Sequence, residues 1–203
     1  MGVSIDEIKK LKELTGVGLT DAKNALTEAK GDFDKALTAM RKKGLTKAEK
    51  RGEREARQGV IEAYVHDNRI GVLVELNCET DFVAKTDEFK ALAHDIAMQV
   101  AAMSPKYISE VDVPSSEKKR KTDELVEAAK NEGKPADIAK KATEGQIKKY
   151  FAEITLMNQT FWKDDSKTIG DLVKETAAKL GENIVIRQMR RIELGVTEDS
   201  SSN

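Results

Sequence analysis

At Gly59 the spacing of apolar residues changes from every third or fourth position to every second, and no other feature restricts the fold as much. Beyond it, Ile61, Ala63 and Val65 alternate with Glu62, Tyr64 and His66. After Asp67-Asn68, Ile70, Val72, Val74, Leu76 and Cys78 alternate again. A period of two puts alternate side chains on opposite faces, so the segment reads as a hairpin with one buried face. Helical spacing then resumes, with Phe89, Leu92, Ala93, Ile96, Ala97 and Val100 on one stripe. Thr86 is the natural N-cap of that helix, and the helix dipole favours Asp87 and Glu88 in its first turn. The expected core is a small antiparallel sheet backed by helices, an α+β arrangement.

Upstream, the helical period runs through three short segments. Ile8, Leu11 and Leu14 follow Ser4, which with Glu7 completes a capping box. Gly16-Val17-Gly18 breaks this helix, and Ala22, Ala25, Leu26 and Ala29 mark a second. Gly31-Asp32 turns the chain into a third helix, with Phe33, Ala36, Leu37 and Met40, which Gly44 ends. Residues 1–45 therefore read as a three-helix module that resembles a ubiquitin-associated domain. Residues 46–57 are a linker in which Lys47, Lys50, Arg51, Arg54 and Arg57 are interleaved with Glu49, Glu53 and Glu55.

Downstream, Pro105 and Pro114 bracket an irregular stretch. Two polar helices, 116–131 and 136–156, meet at Gly133-Lys134-Pro135 and are expected to form a helical hairpin spanning about 115–157. Leu125, Ala128 and Ala129 are the apolar positions of the first, and Ile138, Ala142, Ile147, Phe151 and Ile154 those of the second. Ile169, Leu172, Val173, Ala177 and Leu180 mark a last helix, closed by Gly181, and Ile184-Val185-Ile186 opens a final strand. The core thus runs over residues 58–196, with a sheet of three strands, and 197–203 read as a disordered tail.

Composition narrows what such a chain can do. Aromatic residues are only 4%, so the core must be aliphatic, and the 39% hydrophobic and 35% charged residues describe a soluble globular protein. The formal charge of −1 gives no global attraction to nucleic acid or an anionic membrane. The single cysteine rules out an internal disulfide and suits a reducing compartment. No signal sequence opens the chain and no apolar run is long enough to span a bilayer, so the cytoplasm is expected.

No catalytic constellation emerges. His66 falls on the polar side of its strand, His94 lies beside the apolar stripe of its helix, and Cys78 continues a buried alternation. Gly16-Val17-Gly18 follows a helix and lacks the third glycine of a dinucleotide fingerprint. No metal or cofactor is expected. The anomaly is Thr80-Asp81-Phe82-Val83-Ala84-Lys85, the connection between a clean strand and a clean helix. Composition alone assigns Phe82 to the core, because aromatics are buried more often than displayed. The alternative is an anchor held out toward a partner.

Four collinear motifs resemble the elongation factor Ts family. Asn77-Cys78-Glu79-Thr80-Asp81-Phe82-Val83-Ala84 is similar to its signature, as is Ile8 through Lys23, including Leu11, Lys12, Leu19 and Thr20. The stretch from Lys134-Pro135 to Tyr150-Phe151 is a third, and Gly181-Glu182-Asn183-Ile184 with Arg187 a fourth. The family commonly has Arg in place of Lys12, paired Met in place of Leu19-Thr20, Cys in place of Ala22 and Pro in place of Thr160. One copy of the sheet-containing core corresponds to the family's short forms.

The resemblance implies a guanine-nucleotide exchange factor for elongation factor Tu, with no covalent step. Thr80, Asp81, Phe82 and Val83 would dislodge Mg²⁺ from the GTPase. Leu11, Lys12, Leu19 and Thr20 would contact its nucleotide domain from the N-terminal module. The short forms act as dimers, which implies a homodimer and a 2:2 complex. Two other readings stay open on the residues alone. One is a generic binder of ubiquitin-like or nascent-chain partners through residues 1–45. The other is an RNA-binding accessory using the basic linker with Arg187, Arg190 and Arg191, which would show a steep salt dependence.

Overall fold

A computed structural model of the chain describes residues 3–15, 18–40, 42, 52–131 and 136–196. Gly16-Val17, Gly44, residues 46–51 of the charged run, Gly133-Lys134-Pro135 and the tail 197–203 lie outside the described residues, as do the side chains of Ile138 and Ala142. Internal contacts divide the chain into two units. One comprises Met1–Glu62, Val74–Asp95 and Asp171–Arg187, the other Ala63–Leu73, Ile96–Gly170 and Gln188–Asn203.

The first unit opens with α1 (Ile5–Thr15), α2 (Leu19–Glu28) and α3 (residues 33–40). Ser4 caps α1: its Oγ accepts from Asp6 N–H, and its N–H donates to Glu7 Oε2, the Glu7 half of the expected capping box, each at 3.3 Å. Asp32 caps α3 through its Oδ1, which accepts from Lys35 N–H at 3.0 Å. Lys30, at φ 55°, takes the left-handed conformation that closes α2, and Gly31 after it donates its N–H to Leu26 O at 2.8 Å. Ile8, Leu11, Ala22, Ala25, Leu26, Ala36 and Met40 are buried together, with Phe33 and Leu37 packed at the edge. Helical spacing thus closed a small core of its own.

The main sheet is antiparallel and has the order β1 (Gln58–His66), β2 (Ile70–Cys78), β5 (Val185–Glu193), so β2 is central. In the first unit Val74, Leu76 and Cys78 of β2 are buried. So are Phe89, Leu92 and Ala93 of α5 (Asp87–Met103) and Val173 and Ala177 of α8 (Ile169–Leu180). Each of the Val, Leu and Phe side chains so removed from water contributes about 1.5–3 kcal/mol.

The first strand departs from expectation. Ile61 is 72% and Val65 62% exposed, and Ala63 between them is exposed too, so the apolar face of β1 lies open. Alternation reports that the faces of a strand differ, not which one is covered. Here β1 is an edge strand of its sheet.

In the second unit α6 (Ser115–Asn131) packs along α7 (Ala136–Ile154). Glu117, in the first turn of α6, accepts from Tyr150 Oη near the end of α7 at 2.8 Å and from Tyr107 Oη at 2.6 Å, so the helices run antiparallel. Val113, Phe151 and Ile154 form the small core beneath this contact. A second sheet, β3 (Thr160–Phe161) with β4 (Asp164–Thr168), was not expected from the sequence. Buried Gln99 ties it down: its amide donates to Gln159 Oε1 at 3.2 Å and Thr160 O at 3.1 Å, and its carbonyl accepts from Trp162 N–H at 3.1 Å. Among the described residues no helix is long and apolar enough to cross a membrane.

Candidate functional site

The connection after β2 is not an open loop but one turn of helix, α4 (Asp81–Ala84), fixed by a threonine at each end. Thr80 is extended, at φ −123° and ψ 153°, and its Oγ1 accepts from Val83 N–H at 3.4 Å. Thr86 Oγ1 donates to Val83 O at 2.8 Å and accepts from Phe89 N–H at 3.3 Å, closing α4 and opening α5. Positions two apart on a helix point roughly 200° apart. Ala84 is buried and anchors the turn, and Phe82 is 79% exposed on its other side. Lys85 Nζ meets Asp81 Oδ2 at 2.6 Å and holds that carboxyl below its ordinary value. Both partners are in water, so the pair orients the turn more than it stabilises it.

Beneath the turn lies an exchange of carboxylates that sequence reasoning did not find. Glu182 Oε2 accepts from the backbone N–H groups of Glu79 and Thr80, both at 3.0 Å, and Glu182 Oε1 accepts from Thr80 Oγ1 at 2.6 Å. In return Glu79 Oε1 accepts from Asn183 N–H at 2.7 Å. Gly181, at φ 79°, ends α8 and swings Glu182 and Asn183 back toward β2. Asn183 Nδ2 donates to Arg54 O at 2.7 Å and Gly52 O at 3.3 Å, and Asn77 Nδ2 and Arg187 both donate to Ala56 O. Residues 52–57 of the charged run are thereby bonded into the same unit. The only signal for Glu182 was its place in Gly181-Glu182-Asn183-Ile184.

Cys78 lies directly under the turn, its Sγ 3.1 Å from Thr80 O. Burial first, and the Glu182 carboxylate second, push its thiol up to about 11, so it is neutral and a poor nucleophile at neutral pH. The histidines are engaged at the surface: Tyr64 Oη is 3.0 Å from His66 Nδ1, and Glu62 Oε1 2.8 Å from His94 Nδ1. Among the described residues no group of three or more histidine, cysteine, aspartate or glutamate side chains is placed to hold a metal ion.

Thr80, Asp81, Phe82 and Val83 thus share one capped turn. The N-terminal candidates divide. Lys12 and Thr20 are exposed and Leu19 is 52% exposed, whereas Leu11 is fully buried in the core of its module and has no surface to offer a partner. It holds α1 against α2 so that Lys12 faces out.

The turn thus holds an aromatic side chain, 79% exposed, between two threonine caps, on a connection between a strand and a helix. A sequence profile described as elongation factor TS matches residues 19–196. Proteins named elongation factor Ts are similar along almost the whole length. That of Herpetosiphon aurantiacus is 50% identical over 96% of this chain and 99% of its own. The Thermoanaerobacter sp. protein is 49% identical over 99% of both. The Carboxydothermus hydrogenoformans protein is 52% identical over 93% of this chain and 87% of its own. The chain belongs to the elongation factor Ts family, and so to the elongation and exchange factors of protein biosynthesis.

Proposed function

We propose that this chain is a cytoplasmic guanine-nucleotide exchange factor for elongation factor Tu, and that Phe82 is the side chain it inserts beside the bound nucleotide. The observation that carries this reading is the 79% exposure of Phe82 on a turn fixed at both ends, in a chain of this family. Insertion displaces the elements that support Mg²⁺ and the β-phosphate, so the metal is dislodged and GDP leaves. Thr80 caps the turn, and Asp81 with Val83 flanks the entering ring.

The energetics require more than this turn. Burying one Phe yields roughly 1.5–3 kcal/mol. Weakening GDP binding about a thousandfold needs about 4 kcal/mol of coupling. The remainder comes from an extended interface. Within it the N-terminal module of residues 1–45 supplies Lys12, Leu19 and Thr20, and the core of residues 58–196 supplies the turn. Coupling is reciprocal, so the chain binds nucleotide-free elongation factor Tu more tightly than the GDP form, and incoming GTP expels it. No covalent bond is made or broken, and no nucleic acid contact is involved. Release of a fluorescent GDP from elongation factor Tu tests the reading: the chain at micromolar concentration accelerates it, and no acceleration would sink the assignment.

The complex is assigned a 2:2 composition built on a homodimer. One observation supports it: Val65, Leu73, Ile192, Leu194 and Val196, all in the second unit, are 51–73% exposed, apolar side chains that contact with a second copy would cover. Light scattering on the isolated protein is expected to give twice the 22.4 kDa of one chain, and Val65→Asp combined with Ile192→Asp to return the single-chain mass. A single-chain mass for the unaltered protein would rule the dimer out.

A further inference from the structure

We infer that Glu182 is a positioning residue for nucleotide exchange: it holds the turn bearing Phe82 in its displayed orientation. The inference rests on the reading of Phe82 given above and adds a residue 102 positions from Thr80 in sequence. Glu182 spends both carboxylate oxygens on the two residues that lead into α4. One oxygen takes the consecutive backbone N–H groups of Glu79 and Thr80, and the other takes the Thr80 hydroxyl.

That hydroxyl is also the cap of α4. Its proton goes to Glu182 Oε1 at 2.6 Å, which turns its lone pairs toward Val83 N–H at 3.4 Å. The Glu182 carboxylate therefore sets the direction of the cap, and the cap sets the pitch of the turn from which Phe82 projects. A four-residue helix is too short to hold its own shape, because the first turn of a helix costs more order than its bonds return. Its orientation must be imposed from outside. Glu79 locks the arrangement by accepting from Asn183 N–H, so the end of β2 and the end of α8 grip each other through two carboxylates. Charge-assisted bonds of this kind are about twice as strong as neutral ones and prefer one geometry.

Glu182→Ala removes all three bonds and leaves Phe82 untouched. Glu182→Gln keeps an oxygen for the two backbone groups but presents an amide N–H₂ to the Thr80 hydroxyl, so it reverses one bond and keeps two. Both variants are compared with Phe82→Ala, and each is combined with it, in the fluorescent-GDP assay on the full chain. Backbone amide hydrogen exchange is read in parallel by NMR.

The expected result is that Glu182→Ala slows GDP release by roughly tenfold, the loss of one to two charge-assisted bonds' worth of orientation. Glu182→Gln falls between it and the unaltered chain. Adding Glu182→Ala to Phe82→Ala slows release no further, because a residue that acts through Phe82 has nothing left to position. The amides of Glu79, Thr80 and Val83 exchange faster, while those in the middle of α5 keep their protection.

Losses that add in full, or unchanged amides at Glu79 and Thr80, overturn the inference. Phe82→Ala slow with Glu182→Ala at the unaltered rate overturns it alone. Full exchange by Phe82→Ala instead brings down the underlying reading of Phe82. If Glu182→Ala does not fold, Glu182→Gln and its double variant carry the same comparison.

Discussion

Phe82→Ala is expected to slow GDP release from elongation factor Tu by roughly 10- to 150-fold while leaving the melting temperature within about 1 °C of the unaltered chain. The two halves of this prediction come from the same number. At 79% exposure Phe82 buries almost nothing within the chain, so truncating it removes almost no folding free energy. If the ring is instead buried against elongation factor Tu, its truncation costs the complex the transfer free energy of a Phe, roughly 1.5–3 kcal/mol, which sets the range in rate. Stopped-flow release of a fluorescent GDP and calorimetry of the free protein check the halves separately. Binding to nucleotide-free elongation factor Tu is expected to weaken too, because the ring buried in that complex is lost. Unchanged release would remove Phe82 from the mechanism and leave family membership standing. A lowered melting temperature would mean that the ring supports the fold.

Much of this architecture was legible in the sequence because its cause is local. Ile8 with Leu11, Ala22 with Leu26, and Ala36 with Met40 each had to share one face of their own helix once their spacing was helical, and all six are buried together. The stripe from Phe89 to Val100 was found whole, with Thr86 capping it. What escaped was decided at a distance. Ile61 and Val65 carry the alternation of a buried face yet stand open, since coverage depends on elements that the strand's own sequence does not encode. Composition put Phe82 inside, and a one-turn helix between two threonine caps turns it out. Nothing in Asp164-Asp165-Ser166-Lys167-Thr168 alternates, yet it pairs as a strand, with buried Gln99 tying down its partner. The bond between Glu182 and Thr80 spans 102 positions, and no window of periodicity reaches so far. In the N-terminal module, Leu11 and Lys12 were named together, although neighbours on a helix face different directions and only Lys12 reaches the surface.

The largest effect on the fold is expected from one methyl group on β1. A Cβ added at Gly59 would lie 2.1 Å from the carbonyl oxygen of Leu76 and 2.8 Å from Cα of Asn77. Both are backbone atoms of the central strand, so no rotamer relieves the clash, and Gly59 also holds φ at 154°, which a side chain resists. Gly59→Ala must push the two strands apart or break their pairing. Its cost is roughly 3–5 kcal/mol, a large part of what holds a domain of this size folded. Gly71 supplies the internal comparison: it lies in β2 of the same hairpin, and a Cβ there meets nothing within 4 Å. Gly71→Ala is therefore expected to be neutral or to stabilise by up to about 1 kcal/mol, because alanine has less freedom to lose on folding. Urea denaturation of the two variants would read the difference directly. Comparable midpoints would show that the approach of β1 to Leu76 can relax. A Gly59→Ala chain that is unfolded or strongly destabilised would show that the end of β2 is rigid one turn before Thr80. That is where a wedge needs its footing, since force applied at Phe82 reaches the partner only if the strand behind it does not yield.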